Sequence, residues 1–242
     1  MKSIWALLFA VLALAGCGSP APEASDSEAV PQTAKASATE AAPAIPVMGP
    51  EQQIVALGDS LFAGYGLEPG QSYPARLEAA LRTRGINAQI MNAGVSGDTT
   101  AGGLQRLGFT LNSLPQAPAL VIISLGGNDM LRGLPPPQTR ANLDAILTEL
   151  GKRKIKVLLL GMLSAPNLGA DYRAKFDPIY PALAKKHGAA LVPFFLQPLI
   201  GRPDLIQPDH IHPTLPGIDL MVGSTVEQVA KALPKSAPTP PR

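Results

Sequence analysis

Five short apolar runs, each followed by a stretch with helical spacing, constrain this chain more than any other feature. The runs are residues 54–57, 88–91, 120–125, 157–160 and 190–192. Each is rich in Ile, Val, Leu or Ala, without the polar alternation of a half-exposed strand. Such runs read as strands buried on both faces, and helices between them make those strands parallel. The intervening patterns supply the helices. Residues 73–84 carry Pro74 in the first turn, Leu77 and Leu81 on one face, and Gly85 as a stop. Residues 139–150 place Leu143, Ile146, Leu147 and Leu150 on one stripe ahead of Gly151. A weaker helix is expected over 99–111, where Gly102 and Gly103 intervene, and one over 171–187 that Pro178 and Pro181 must kink or shorten. The last helix, 217–233, stops at Pro234. The fold class is therefore α/β: a three-layer sandwich with a five-stranded parallel sheet and helices on both faces.

A chain of 242 residues with 46% hydrophobic composition can bury one core and leave appendages. The net charge of +2 and the lack of any block of like charges give no nucleic-acid surface. One cysteine, Cys17, excludes an intramolecular disulfide framework and a cysteine zinc cage.

The first 17 residues stand apart from the fold. Lys2 precedes an apolar run, 4–14, of signal-peptide length and too short to span a bilayer comfortably. The run closes on Leu14-Ala15-Gly16-Cys17, which resembles the lipobox of bacterial lipoproteins. That resemblance makes Cys17 the acylated first residue of the mature chain, and Gly18 after it is compatible with outer-membrane sorting. The alternative is an ordinary secretory signal with an incidental cysteine. Residues 18–50 are rich in Ala, Pro, Ser, Thr and Glu, with almost no large apolar side chain before Ile45. They bury too little to offset their ordering entropy and are expected to form a disordered tether. The folded unit is then 51–234, followed by a Pro-rich tail, 235–242.

Chemistry concentrates at the ends of the runs. Gly58-Asp59-Ser60-Leu61 follows the first, Ser96-Gly97-Asp98 follows the second, and Gly126-Gly127-Asn128-Asp129 follows the third. Asp209-His210-Ile211-His212-Pro213 precedes the final helix. Open parallel sheets place reactive groups at the carboxyl ends of their strands. A serine hydroxyl there is a weak nucleophile unless a base, an orienting carboxylate and oxyanion donors converge on it.

These four islands, in this order, resemble the SGNH (GDSL) hydrolases over about 53–233. The stretches 58–67 and 92–100 are most similar to the bacterial periplasmic arylesterase, acyl-CoA thioesterase and lysophospholipase group. The resemblance implies a sheet in flavodoxin-like order, Ser60 as nucleophile, His212 as base and Asp209 as its partner. It also implies oxyanion donors from the Ser60 and Gly97 backbone N–H groups and the Asn128 side chain. No cofactor and no metal are implied. Partners would be a small acyl ester, thioester or lysophospholipid, and a membrane reached through the lipid anchor on the periplasmic side. A monomer is expected. The G-x-S-x-G elbow of α/β-hydrolases is absent around every serine.

Other readings of the same residues stand beside this one. Ser60 is also a suitable helix cap. Of the three histidines, His187 beside Gly188 suits a helix C-terminus, whereas His210 departs from the small residue usual in the family and is expected at the rim. Asp209, His210 and His212 have the residue types, though not the number, of a metal site. Asp59 and Asp129 are expected to orient loops through hydrogen bonds rather than to transfer protons. Leu61, Met130, Leu131 and Phe195 are candidates for an apolar acyl groove, or alternatively for closing the core. At the level of function, a sugar O-deacetylase of the same fold and a non-catalytic binding lipoprotein are the alternatives to an esterase.

Overall fold

The structure, a computed structural model, describes Val47 and residues 49–234. The expected signal segment with Cys17, almost all of the expected tether and the tail 235–242 lie outside the described residues.

The five strands are β1 (Gln52–Gly58), β2 (Ala88–Gly94), β3 (Leu120–Ser124), β4 (Val157–Leu160) and β5 (Ala190–Val192). All neighbouring pairs are parallel, and the order across the sheet is β2-β1-β3-β4-β5. Strands β1 and β3 lie inside the sheet, with Ile54, Val55, Ala56 and Leu57 of β1 and residues 120–123 of β3 essentially inaccessible. That two-sided burial is why these runs show no polar alternation.

Among the described residues, eight α-helices cover the faces and edges. They are α1 (Ser60–Ala63), α2 (Tyr73–Arg82), α3 (Thr100–Asn112), α4 (Gly127–Leu131), α5 (Pro136–Lys152), α6 (Ala170–Phe176), α7 (Ile179–His187) and α8 (Leu215–Ala232). Helix α2 packs beside α8, and α3 beside α5, which also meets α6 and α7. The caps follow ordinary chemistry: the hydroxyls of Ser72, Thr99 and Thr214 accept N–H groups of the first turns of α2, α3 and α8. The pattern expected over 171–187 is two helices, because Pro178 supplies no N–H to continue α6 and instead starts α7. Two one-turn helices, α1 and α4, were not foreseen. They are too short to show a period and exist because Ser60 and Gly127 begin turns at strand ends.

Sheet order reverses at β1: β2 lies on one side of it, β3 on the other. The crevice beyond the carboxyl ends of β1 and β3 is thus the topological switch point, where open α/β sheets bind ligands. Among the described residues, no helix is long and apolar enough to cross a membrane.

Candidate active site

Strand β1 delivers Ser60 to the switch point. Asp59 ends the extended chain and accepts the Leu61 N–H at 3.1 Å, so the carboxylate, not Ser60, caps α1. The cap reading of Ser60 is thereby displaced, and its hydroxyl is left pointing elsewhere. As first residue of α1, Ser60 also has a backbone N–H with no intrahelical acceptor. Packing fixes this turn closely. A Cβ on Gly94 would meet the Ala63 nitrogen, and would lie 2.7 Å from the Phe62 carbonyl carbon. Asn92 adds a strut, donating from Nδ2 to the Phe62 carbonyl at 2.7 Å while its Oδ1 accepts the Gly94 N–H at 2.9 Å.

The loop 206–213 brings the other two side chains. An antiparallel bridge between Ile206 and Pro213 closes it, and the Gln207 N–H donates to the His212 carbonyl at 2.7 Å. Inside the loop, Asp209 Oδ1 accepts the N–H groups of Ile211 and His212, each at 3.0 Å. Its Oδ2 lies 2.6 Å from His212 Nδ1. The His212 backbone N–H, then its side chain, then the Ile211 N–H hold Asp209 down at about 2. His212 Nε2 reaches Ser60 Oγ at 2.8 Å. With the Nδ1 proton facing Asp209, Nε2 is free to accept the serine proton. The Tyr65 ring stacks on the imidazole with centroids 4.4 Å apart, closing its outer face.

The third component is the loop after β2. Gly97 takes a φ of 83°, a left-handed conformation suited to glycine, and lies outside every helix and strand. Its N–H has no acceptor among the described residues. Three side chains hold this loop. Asn128 Nδ2 donates to the Asp98 carbonyl at 2.9 Å, Arg132 Nη2 to the Gly97 carbonyl at 2.7 Å, and Arg106 Nε to Asp98 Oδ2 at 2.6 Å. Arg106 also reaches the Gly58 carbonyl at 2.8 Å, linking the loop after β2 to the Ser60 turn. Asn128 keeps one amide hydrogen free for a second acceptor. Behind it, buried Asp129 accepts from the Thr100 N–H at 2.8 Å, the Thr100 hydroxyl at 2.5 Å and the Thr139 hydroxyl at 3.1 Å. Those bonds pin α4 between α3 and α5.

Ser60, Gly97, Asn128 and His212 line one cavity of about 430 Å³, whose wall is otherwise mainly Leu61, Tyr65, Met130, Leu131, Met162 and Leu196. Three groove candidates, Leu61, Met130 and Leu131, are therefore in place. Phe195 is not. It is fully buried in the core, edge-on to Phe62 at 6.1 Å and to Tyr73 at 4.8 Å. The adjacent Leu196 takes the groove position instead, because the chain turns after Phe194 and sends successive side chains in opposite directions. His210 sits at the cavity rim with a φ of 61°, its N–H donated to the Gln207 carbonyl, while His187 pairs with Asp144 at 2.6 Å at the end of α7. Among the described residues, no group of three or more His, Cys, Asp or Glu side chains is arranged to hold a metal.

Sequence reasoning missed Gln207, Arg106, Arg132 and Asn92. Gln207 Nε2 bridges the Tyr65 carbonyl and the Pro213 carbonyl, each at 2.9 Å, so it joins the two halves of the site. Nothing in its sequence neighbourhood marks it, since its role rests on contacts across 142 positions. Asp59 carries the other electrostatic peculiarity. Burial pushes its carboxyl up to about 6, against the opposing pull of the Leu61 N–H and of His212.

Comparison with known proteins agrees with this geometry. Residues 56–220 match the GDSL-like Lipase/Acylhydrolase family. The Esterase TesA of Pseudomonas aeruginosa is 43% identical over 164 residues, covering 68% of this chain and 81% of that protein. The Thioesterase 1/protease 1/lysophospholipase L1 of Escherichia coli is 38% identical over 160 residues, covering 66% of this chain and 74% of that protein. Among solved structures, the SGNH-hydrolase family esterase AlinE4 is 61% identical with a TM-score of 0.66, covering 77% of this chain and 99% of its own. A serine on the first strand's turn, a parallel sheet in this order and a match over most of the folded residues place this chain in the GDSL-like lipase/acylhydrolase family, the SGNH hydrolases.

Proposed function

We propose that this protein hydrolyses carboxylic esters or thioesters of apolar acyl groups through an acyl-enzyme on Ser60. The observation that carries the reading is the unbroken relay from Asp209 Oδ2 to His212 Nδ1 (2.6 Å) and from His212 Nε2 to Ser60 Oγ (2.8 Å). Ser60 Oγ attacks the acyl carbon as its proton passes to His212 Nε2, and Asp209 stabilises the resulting imidazolium. The negative charge that develops on the carbonyl oxygen meets the N–H groups of Ser60 and Gly97 and the free amide hydrogen of Asn128. Each such donor contributes about 3 kcal/mol of barrier lowering. Collapse breaks the bond to the alcohol or thiol, which leaves with the proton from His212. A water then repeats the sequence on the acyl-enzyme: His212 takes its proton, hydroxide adds to the acyl carbon, and Ser60 leaves as the hydroxyl.

The family relatives named esterase, and thioesterase and lysophospholipase, support the ester and thioester classes. The apolar wall of the cavity supports an acyl chain over a sugar ring. The lipobox-like Leu14-Ala15-Gly16-Cys17, with the sole cysteine at its last position, supports export and acylation of Cys17, and Gly18 after it supports an enzyme held on the periplasmic side of the outer membrane. Labelling with a fluorophosphonate probe tests the enzyme reading: the full chain should be labelled and Ser60→Ala should not. A folded protein that takes no label would instead be a binding lipoprotein.

A further inference from the structure

Of the eight large apolar side chains left exposed among the described residues, Phe109 on α3 and Leu220 on α8 stand apart, and the other six sit in the loops and short turns that follow the strands. Tyr65, Val95, Leu131, Leu163, Ile200 and Ile211 are all exposed, from 42% for Leu163 to 62% for Ile200. Tyr65 follows β1, Val95 follows β2, Leu131 follows β3, Leu163 follows β4 and Ile200 follows β5, while Ile211 sits on the loop carrying Asp209 and His212. Every strand of a parallel sheet thus sends one exposed apolar side chain to the same edge. Tyr65, Leu131 and Ile211 also line the mouth of the Ser60 cavity, and Leu163 directly follows Met162 of its wall. Single exposed apolar residues are ordinary on a soluble protein, whereas a set grouped at the sheet end that holds a binding mouth marks an interaction face.

We propose that this rim is a docking face for a phospholipid bilayer, so that the site draws its acyl substrate from lipid rather than from free solution. The inference rests on the acyl-hydrolase reading of Ser60. A bilayer suits the face better than a protein does, because a protein seated there would seal the mouth, while lipid delivers substrate through it. Tyr65, an amphipathic ring at the mouth, fits the boundary between headgroups and acyl chains. The chain length agrees with this orientation. Strand β1 starts at the sheet edge opposite the rim, but the residues numbered 18 to 50 can span up to about 110 Å when extended. An anchor at Cys17 would therefore leave the domain free to turn its rim to the membrane. The opposite edge carries Lys154, Lys156 and Lys231 around another cavity, a charged surface that would attract anionic headgroups instead.

The test uses the full chain in phosphatidylcholine vesicles containing a medium-chain p-nitrophenyl ester, with soluble p-nitrophenyl acetate as reference. The double variant Leu163→Ser/Ile200→Ser lies outside the cavity lining. It should lose about tenfold in rate on the vesicle-borne ester while its rate on the soluble ester is unchanged. Hydrogen exchange should slow on vesicle addition in the loops around Val95, Leu163 and Ile200. The proposal is overturned by equal rates on the vesicle-borne ester, by a parallel loss on both esters, by exchange protection around Lys154, Lys156 and Lys231 instead, or by a dimer that the double variant abolishes. Absence of hydrolysis together with rim protection would sink the acyl-hydrolase reading and leave the docking face standing.

Discussion

Arg132 donates from Nη2 to the Gly97 carbonyl at 2.7 Å, so a glycine of the Ser60 cavity wall is gripped by a side chain 35 positions away. Arg132 sits just past α4, which also carries Asn128, and the same turn therefore supplies one proposed oxyanion donor and holds another. Preorganised donors contribute only while their geometry is fixed. Replacing Arg132 by Met should lower kcat by about tenfold with little change in KM. Thermal stability should stay near that of the parent, since Arg132 is exposed. Steady-state kinetics beside a melting curve checks this, and a KM effect alone would mean that Arg132 binds substrate instead.

Two histidines in one loop allow a direct comparison. His212→Ala should reduce kcat by about a thousandfold or more. His210→Ala should keep most activity, because its ring lies at the rim and has no contact with Ser60. Hydrolysis that survives the first change and is lost in the second would reverse the assignment.

The two carboxylates nearest the site give stability opposite pH slopes. Asp59 is raised from 3.8 to about 6 in the folded protein, so the folded state holds its proton more tightly than the unfolded chain. Its contribution is full below pH 4 and declines as pH rises towards 6. Asp59→Asn removes the charge that burial penalises and can still accept the Leu61 N–H. It should therefore raise stability at neutral pH by about 2 kcal/mol relative to the parent, and the gain should vanish near pH 4. Asp209, lowered to about 2, behaves in the other sense: its contribution is present above pH 4 and lost as pH falls towards 2. Denaturant unfolding at several pH values reads both.

Phe195 and Leu131 separate core from groove. Phe195→Ala should cost about 3–5 kcal/mol of stability, the usual effect of removing a fully buried aromatic ring. Leu131→Ala should leave the melting temperature almost unmoved and lower kcat/KM for medium-chain esters several-fold more than for acetyl esters. Equal effects on both chain lengths would show that Leu131 does not contact the acyl chain.

Gly94→Ala tests the packing that sets the nucleophile turn. The added methyl would press on the Phe62 and Ala63 backbone rather than on a side chain that can swing aside. A loss of about 1–3 kcal/mol is expected, with slower fluorophosphonate labelling of Ser60. Unchanged labelling would show that the turn tolerates displacement.

The sequence by itself determined the architecture and pointed to the candidate reactive groups. Runs such as 54–57 and 157–160 are buried on both faces, and that burial writes itself as unbroken apolar composition. Pro74 and Gly85 mark helix ends because their backbone restrictions are local. Ser60, Asp209 and His212 could be singled out because each stands at a strand or helix junction in a short motif. Tertiary structure alone decided what depends on distant contacts: the 2.8 Å approach of His212 to Ser60 across 152 positions, that Asp59 and not Ser60 caps α1, and that Phe195 turns into the core while Leu196 faces the cavity. Gln207, Arg106 and Arg132 belong to that second group. Their work is to hold backbone carbonyls brought close only by the packing of the sheet, and a carbonyl has no residue type for a sequence to display.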